Sequence, residues 1–344
     1  MKKVGNACPR VALVKGEDRY ANIRRALELI ASDINLDGVE RILVKPNLLT
    51  VTNPLAVTHL DAMRALLDFL QERTSCQITI GEGSGTGAPD TMTAFRHLGY
   101  FSLKDRYNVQ FVDLNSDEQV RVEILDSELK PITVRLAKSV VDAHYRISIC
   151  PPKTHDCVII TAALKNMVMG GLRRRENALT AKLAILAQLI RLKMPAHSLW
   201  GRLAGRWVER SGNDKIKMHQ GNPVLNLNLY KLARIIPPHL SVIDGLEGME
   251  GDGPACGESV ALGLAWASTD FVACDSVAAR IMGLDIDQIG YLSYCHQAGL
   301  GQGDLSKIEI VGQNIDGCIR TFKPHKDFPE QLKWHIHGVE RYLG

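Results

Sequence analysis

Residues 145–171 read YRISICPPKTHDCVIITAALKNMVMGG, and this stretch decides the fold. Near its start the apolar residues Ile147 and Ile149 alternate with Arg146 and Ser148, which predicts a buried strand. Pro151 ends that strand because proline has no N–H for the next hydrogen bond of the ladder. A dense polar cluster, 153–156, follows at once. Open parallel sheets bind ligands beyond the carboxyl ends of their strands, so this cluster predicts a functional site.

On both sides of this stretch, short apolar strands alternate with segments whose apolar residues recur at helical spacing. The predicted strands are Arg10–Lys15, Arg41–Lys45, Gln77–Ile80, Val109–Asp113, His239–Asp244, Val260–Ala267 and Lys307–Val311. The predicted helices include Asp18–Ile30 and His59–Arg73, the second with Thr58 as its N-cap. This alternation predicts an α/β fold, in which a mainly parallel sheet is flanked by helices.

Two segments depart from that pattern. Gln119–Ala137 alternates with a period of two around a polar turn, which predicts an inserted β-hairpin. Leu172–Lys217 holds eleven lysines and arginines against three acids and predicts a helical basic excursion. Three interpretations of the excursion stay open: a lid with a solvated face, an attractor of an anionic substrate, or a membrane or nucleic-acid contact. No known nucleic-acid motif is present, so no nucleic-acid partner is expected.

Length and composition indicate an ordinary globular protein. The chain has 344 residues, of which 45% are apolar and 23% are charged. These values suit one large α/β domain or two modest ones. We interpret the chain as a single domain over residues 1–344, in which 1–138 and 139–315 could form two lobes and 316–344 a tail.

Charge, hydropathy and cysteine usage exclude several classes of protein. The net charge of +3 is too small to indicate nucleic-acid or membrane binding by itself. No run of about 20 apolar residues occurs, so neither a transmembrane segment nor a signal peptide is predicted. The eight cysteines are scattered without a C-x-x-C motif, as is typical of reduced cysteines, and the predicted location is the cytoplasm. Alternatively, Cys150 and Cys157 could bind a metal together with His155.

Polar residues follow four of the predicted strands and are expected to converge on one edge of the sheet. The predicted substrate-binding residues are Lys45, Asn47, Gly83, Ser84, Gly85, Lys153 and Asn166. Lysines and glycine-rich backbone suit a carboxylate or phosphate, so the expected ligand is a small anionic molecule. The predicted catalytic residues are His155, Lys165 and His219, because a histidine or a desolvated lysine can transfer protons near neutral pH. The alternative for these segments is a surface turn before a core helix.

An acidic, glycine-rich segment follows the strand that ends at Asp244. Residues 245–257 read GLEGMEGDGPACG, which predicts a long loop carrying Glu250 and Asp252. Together with Asp244, these two acids are a candidate site for a divalent metal, since carboxylate oxygens are suitable ligands. The alternative is a solvated glycine turn.

Taken together, these motifs resemble those of the DUF362 family, a domain of unknown function. The matching pieces are VKPN at Val44–Asn47, IGEGSG at Ile80–Gly85, CPPKTH at Cys150–His155, ALKNMVMGGL at Ala163–Leu172, VIDGLEGMEGDGPACG at Val242–Gly257 and STDFVACDSVAARIMGL at Ser268–Leu284. Many relatives carry a ferredoxin-like domain with iron–sulfur clusters, whereas this chain lacks any C-x-x-C-x-x-C run. The resemblance therefore implies redox chemistry with an externally supplied iron–sulfur cluster and a ferredoxin-like partner.

The order of His155, Lys165 and His219 is also similar to that in the lactate racemase family, in which a lysine holds a nickel-pincer nucleotide. This likeness implies that Lys165 corresponds to the anchoring lysine and His155 to a catalytic histidine. In place of the glycines of the racemase motif, this chain has Thr161, Ala162 and Ala163.

The function predicted from the sequence is a cytoplasmic enzyme that acts on a small anionic substrate by redox chemistry with an external iron–sulfur donor. Two alternatives stay open. One is a non-redox enzyme, either racemase-like or metal-dependent, and the other is a non-catalytic factor that binds a cofactor or an iron–sulfur partner. The sequence does not identify the cofactor, for which a divalent metal and an external cluster are the options. A homodimer is compatible with the sequence.

Overall fold

The computed structural model describes residues 8–85, 90–174, 186 and 212–344. The strands are β1 (Arg10–Lys15), β2 (Ile42–Lys45), β3 (Ile78–Glu82), β4 (Val109–Asp113), β5 (Gln119–Leu125), β6 (Pro131–Ala137), β7 (Tyr145–Cys150), β8 (Lys153–His155), β9 (Ile159–Thr161), β10 (Leu240–Glu250), β11 (Glu258–Ser268) and β12 (Glu309–Gly312). The α-helices are α1 (Arg19–Leu29), α2 (Leu60–Gln71), α3 (Thr91–His97), α4 (Lys138–Val141), α5 (Ala163–Gly171), α6 (Asp214–Met218), α7 (Asn222–Ala233), α8 (Phe271–Ile281), α9 (Gly290–Gln297) and α10 (Phe328–Gln331). Most of the predicted helical excursion, 172–217, lies outside the described residues.

Ten of the strands form one mixed sheet, with the order β12-β1-β11-β10-β7-β2-β3-β4 and the pair β8–β9 attached beside β10. The five strands from β10 to β4 run parallel to their neighbours, whereas β11 is antiparallel to both β10 and β1. The prediction of a mainly parallel α/β fold is confirmed. The predicted hairpin is also confirmed, because β5 and β6 pair antiparallel as a separate two-stranded sheet.

Helices cover both faces of the sheet and bury two hydrophobic cores. On one face, α1 and α2 pack their apolar residues, such as Leu27 and Leu66, against Ile147 and Ile149 of β7. On the other face, α5, α7, α8 and α9 form the second core around Trp266. Strand β7 is buried along its whole length because helices lie on both sides of it. No helix in the described part of the chain combines the length and the apolar character needed to cross a bilayer.

The start of α2 differs from the prediction. His59, not Thr58, is the N-cap, and its ring Nδ1 accepts a hydrogen bond from Asp61 N. The Thr58 hydroxyl is occupied elsewhere, since Oγ1 donates to Ile149 O and accepts from Asn47 N, both at 2.8 Å. Thr58 thus fastens the end of β2 to the end of β7, where the cavity described below begins.

Two segments predicted as loops are strands. Lys153–His155 forms β8 and pairs with β9 through a tight turn, so the polar cluster is held in a hairpin. Residues 245–250 continue β10 beyond Asp244, because a bulge between Gly245 and Glu247 lets the strand keep its pairing with β11. Glycine content alone suggested a loop in the second case, and the pairing partner overrides it.

Candidate functional site

The candidate site is a cavity of about 430 Å³ at the carboxyl ends of β2, β3 and β7. Its polar lining comes from residues far apart in the chain: Lys45, Asn47, Glu82, Lys153, His155, Asp156, Lys165, Asn166, Lys215 and His219. Parallel strands end together at this edge, so their following segments meet there. The cavity has the size of a small-metabolite site.

Helix α5 forms one wall of the cavity and is held at both ends by residues from other parts of the chain. Its N-cap position is Ala162, which has no side-chain acceptor. The buried Asp275 supplies the acceptors instead and receives hydrogen bonds from Ala163 N at 2.9 Å and Leu164 N at 3.0 Å. At the other end, Lys215 Nζ donates to the carbonyls of Met169 and Leu172, both at 2.6 Å. Burial raises the pKa of Asp275 to about 7 and lowers that of Lys215 to about 7, and in their ionised forms the two side chains match the two ends of the helix dipole.

A buried network joins the ends of β2 and β3 to α5. Lys45 Nζ donates to Glu82 Oε2, Asn166 Oδ1 and Pro46 O, each at 2.9 Å. Asn47 Nδ2 donates to the same Asn166 oxygen at 2.9 Å. All three protons of the Lys45 ammonium are thus used within the protein. Lys45 and Glu82 form a neutral structural pair rather than a free anion-binding charge.

Lys153 and Lys165 differ from Lys45 and Lys215 in the hydrogen-bonding capacity that they retain. Among the described residues, Lys153 Nζ donates to a single acceptor, Asn47 Oδ1, at 2.6 Å. No hydrogen bond joins Lys165 Nζ to any of the described residues. Burial lowers the pKa of Lys153 to about 7 and that of Lys165 to about 8, so both ammonium groups titrate near neutral pH. These two side chains have N–H donors that no described residue takes up.

The two histidines on the cavity wall differ in which ring nitrogen carries the proton. His219 Nδ1 lies 2.7 Å from Lys215 O, a carbonyl that can only accept, so Nδ1 carries the proton and Nε2 is the basic atom. His155 Nδ1 accepts the N–H of Cys157 at 3.0 Å, which places the proton of the neutral ring on Nε2. Burial and the charge of Lys165 lower the pKa of His155 to about 3, and burial also lowers that of His219. Both rings are neutral near pH 7.

The structure brings the predicted catalytic residues and most of the predicted substrate-binding residues to one cavity. Ser84 is the exception, since it is buried behind the wall and hydrogen-bonds to Thr91. The predicted anion-binding backbone is partly committed, because Gly83 N donates to Glu82 Oε1 at 2.8 Å. Gly83 itself is required by space, as a Cβ there would lie 2.4 Å from Gly170 O.

The three acids predicted to bind a metal are not gathered. Asp244 lies near the middle of β10 and Glu250 is its last residue. The two are therefore about 20 Å apart along the extended strand. Asp244 pairs with Arg19 at 2.9 Å, Glu250 accepts from Lys323 N at 2.8 Å, and Asp252 lies 3.6 Å from His325 Nε2. The prediction assumed a loop that could fold the carboxylates together, and the continued strand separates them. Among the described residues, the compact group of possible metal ligands is instead His155, Asp156 and Cys157.

Sequence reasoning missed Glu82, Lys215 and Asp275. Glu82 stands inside the glycine run that was considered only for its backbone. Lys215 is one of eleven basic residues in its segment, and nothing in the local sequence distinguishes it from the others. Asp275 lies in the middle of an apolar helix, where a buried acid needs hydrogen-bond donors, and that placement was the available signal.

Comparison with known proteins finds a curated relative and solved structures, all of low sequence identity. A thylakoid-associated protein of Synechocystis sp. is 24% identical over 283 residues, which cover 81% of this chain and 75% of the relative. The lactate racemase apoprotein from Thermoanaerobacterium thermosaccharolyticum shares 14% identity with a TM-score of 0.46, over 77% of this chain and 55% of that structure. A Thermotoga maritima protein shares 13% with a TM-score of 0.42, over 75% and 57%. The chain spans little more than half the length of these two structures, and at such scores neither supports an argument about function.

The family match is more extensive than these pairwise similarities. Residues 42–280 match the profile of a family described as a domain of unknown function, DUF362. The matched range runs from β2 to α8 and contains every described residue of the cavity wall that has been discussed. Because this match takes in most of the chain, the protein belongs to the DUF362 family.

Proposed function

We propose that the protein is an enzyme that binds a small anionic substrate in this cavity and transfers a proton to or from it. The observation that carries the proposal is the pair Lys153 and Lys165, whose donors are largely left unused by the described residues and whose pKa values lie near neutrality. Catalytic groups with such pKa values can both accept and release a proton at physiological pH.

The charge inside the cavity favours an anion. Lys45 is neutralised by Glu82, and the ammonium of Lys215 is surrounded by backbone carbonyls. Lys153 and Lys165 then face a single further carboxylate, that of Asp156, among the described residues of the wall. A carboxylate or phosphate group of a ligand would complete this arrangement with charge-assisted hydrogen bonds.

The histidines supply the remaining proton-transfer groups. With its proton on Nδ1, His219 has Nε2 as the nitrogen that can accept a proton, whereas neutral His155 carries its proton on Nε2. A basic atom and a proton donor on one cavity wall are the pair that removal and return of a proton requires. The groups around the cavity therefore favour the non-redox, racemase-like alternative of the sequence analysis over electron transfer.

Anion binding is tested first, by calorimetric titration of the protein with phosphate, lactate and malonate. Lys165→Met and Lys153→Met should weaken binding at least tenfold, because each removes an available ammonium group. The exposed Lys307→Met is the matched control and should bind as the wild type does. Unchanged affinity in both cavity variants, or no binding of any anion by the wild type, would overturn the proposal.

Proton transfer is tested separately, by incubating small carboxylic acids with the protein in D₂O and following loss of the C–H signal by NMR. Deuterium incorporation that requires Lys165 and His219 is the expected result. Anion binding without exchange on any acid in the set would leave a binding protein and contradict the enzymatic part of the proposal.

A further inference from the structure

We propose that His155, Asp156 and Cys157 form a binding site for a divalent cation of the Zn²⁺ type in the wall of the cavity. Their ligand atoms all lie within 4.8 Å of one another. No other three His, Cys, Asp or Glu side chains in the described ranges come together in this way. The three residues are consecutive: His155 ends β8, and Asp156 and Cys157 begin the turn to β9, so the hairpin limits their separation.

The contacts of these residues show that their atoms are close enough to share one cation. His155 Nδ1 lies 2.9 Å from Asp156 Oδ1. The same Nδ1 accepts the N–H of Cys157 at 3.0 Å. A bound cation would replace this N–H as the partner of Nδ1 and would also be coordinated by the Asp156 carboxylate.

The ligand types select the class of metal. One imidazole nitrogen, one carboxylate oxygen and one sulfur suit borderline cations such as Zn²⁺ and Co²⁺, whereas Mg²⁺ and Ca²⁺ prefer oxygen ligands. Three protein ligands leave a fourth position, as in catalytic zinc sites. All three residues line the cavity, so that position faces the space where Lys165 and His219 also lie.

A hydrogen bond from outside the turn supports its position. Gln331 Nε2 donates to His155 O at 2.7 Å, and Gln331 is buried. This bond fixes the backbone at His155, from which the ring extends. The inference concerns the same cavity as the proposed function, yet metal binding requires neither the anionic substrate nor turnover.

The experiment is a Co²⁺ titration of the whole chain after chelator treatment, followed by absorption spectroscopy. One Co²⁺ per chain with a thiolate-to-metal charge-transfer band is expected, and Zn²⁺ should displace it. Cys157→Ser should abolish the band, and Asp156→Asn, at a half-exposed side chain, should weaken binding at least tenfold without unfolding the protein. The exposed Cys256→Ser is the matched control and should keep both the band and the affinity.

Two outcomes would overturn the inference: no binding of Co²⁺ by the wild type, or a band that survives in Cys157→Ser. The result is separable from that of the anion titration. Co²⁺ binding without anion binding would leave the metal site standing and remove the proposed function. Anion binding without Co²⁺ binding would leave the proposed function standing and remove the metal site. Lys165→Met should retain Co²⁺ binding, because Lys165 is not a ligand.

Discussion

Lys45 Nζ lies 2.9 Å from Glu82 Oε2, and the side chains are only 1% and 3% exposed. Glu82 also accepts hydrogen bonds from Leu48 N and Gly83 N, so the carboxylate is fully surrounded by donors. A buried pair of this kind is weak evidence for added stability, but removal of one partner leaves the other charge unpaired.

Lys45→Met is therefore expected to destabilise the fold by about 3–5 kcal/mol, because it leaves the Glu82 carboxylate buried without its cation. The double variant Lys45→Met/Glu82→Gln should recover part of that loss, since no charge then remains. Urea denaturation of both variants and of Lys307→Met measures the effect. Equal stability of Lys45→Met and the surface control would contradict the structural role given to the pair.

Lys165→Met is expected to preserve or raise the melting temperature at pH 7, because it removes a buried ammonium group that has no hydrogen bond from the described residues. A loss of anion binding together with an unchanged or higher melting temperature identifies a functional lysine. A large fall in melting temperature would instead identify a structural one.

The wild-type fold should gain stability between about pH 8 and pH 10.5. Folded Lys165 releases its proton near pH 8, whereas the unfolded chain holds it up to the ordinary lysine value. The unfolded state thus binds more protons in this window, so the free energy of unfolding rises with pH. Between pH 8 and pH 10 this gain is about 2 kcal/mol for the one residue. Urea denaturation at both values should give a smaller gain in Lys165→Met, and an identical gain would refute the assignment.

Anion affinity should fall as the pH rises through 7 to 8. In the proposed function Lys153 and Lys165 bind the anion as ammonium groups, and their pKa values of about 7 and about 8 mean that both lose charge in this range. Calorimetry with malonate at pH 6.5 and pH 9 should show at least a tenfold weaker affinity at the higher value. Affinity that is independent of pH would mean that other groups hold the ligand.

Asp275→Asn should destabilise the chain by about 1–3 kcal/mol, because an amide can accept from one of the two helix N–H groups but turns a donor towards the other. The measurement is best made at pH 8, since burial raises the pKa of Asp275 to about 7. Hydrogen exchange should speed up at Ala163 and Leu164. The exposed Asp287→Asn should leave both the stability and the exchange rates unchanged. Exchange at Ala163 and Leu164 that is as slow in Asp275→Asn as in the wild type would contradict the anchoring of α5 by Asp275.

Gly170→Ala and the neighbouring Gly171→Ala form a matched pair on α5. A Cβ at Gly170 would lie 1.7 Å from Lys45 Cε, whereas at Gly171 the nearest atom is Ile236 Cδ1 at 3.3 Å. We expect Gly170→Ala to cost about 2–3 kcal/mol or more by overpacking. Gly171→Ala should be nearly neutral, because alanine is the better helix former. Similar melting temperatures for the two variants would show that Lys45 can move out of the way.

The parts of the fold that depend on local pattern could be predicted from the sequence. Alternation of strands and helices predicted a mainly parallel sheet, and the segments after its strands were expected to converge on one edge, where Lys45, Lys153 and Lys165 do line one cavity. The parts that depend on partners could not. The glycines after Asp244 suggested a loop, and only pairing with β11 reveals a strand that separates the predicted metal ligands.

The roles of the lysines show the same limit. From sequence, Lys45 and Lys153 were equivalent candidates for anion binding. Their difference comes from Glu82, which lies 37 positions from Lys45 and takes up its charge. Similarly, Lys215 supports the end of α5 from 46 positions beyond Met169. Contacts over such separations are set by the packed fold and leave no periodic pattern in the chain.

The bond from Gln331 Nε2 to His155 O has a consequence for biosynthesis. The two residues are 176 positions apart, so the ribosome makes the hairpin of the cavity long before the side chain that pairs its carbonyl. A nascent chain stalled before residue 331 would hold the lysines and histidines but not this last constraint. The carbonyl of His155 thus acquires this partner only when translation is nearly complete.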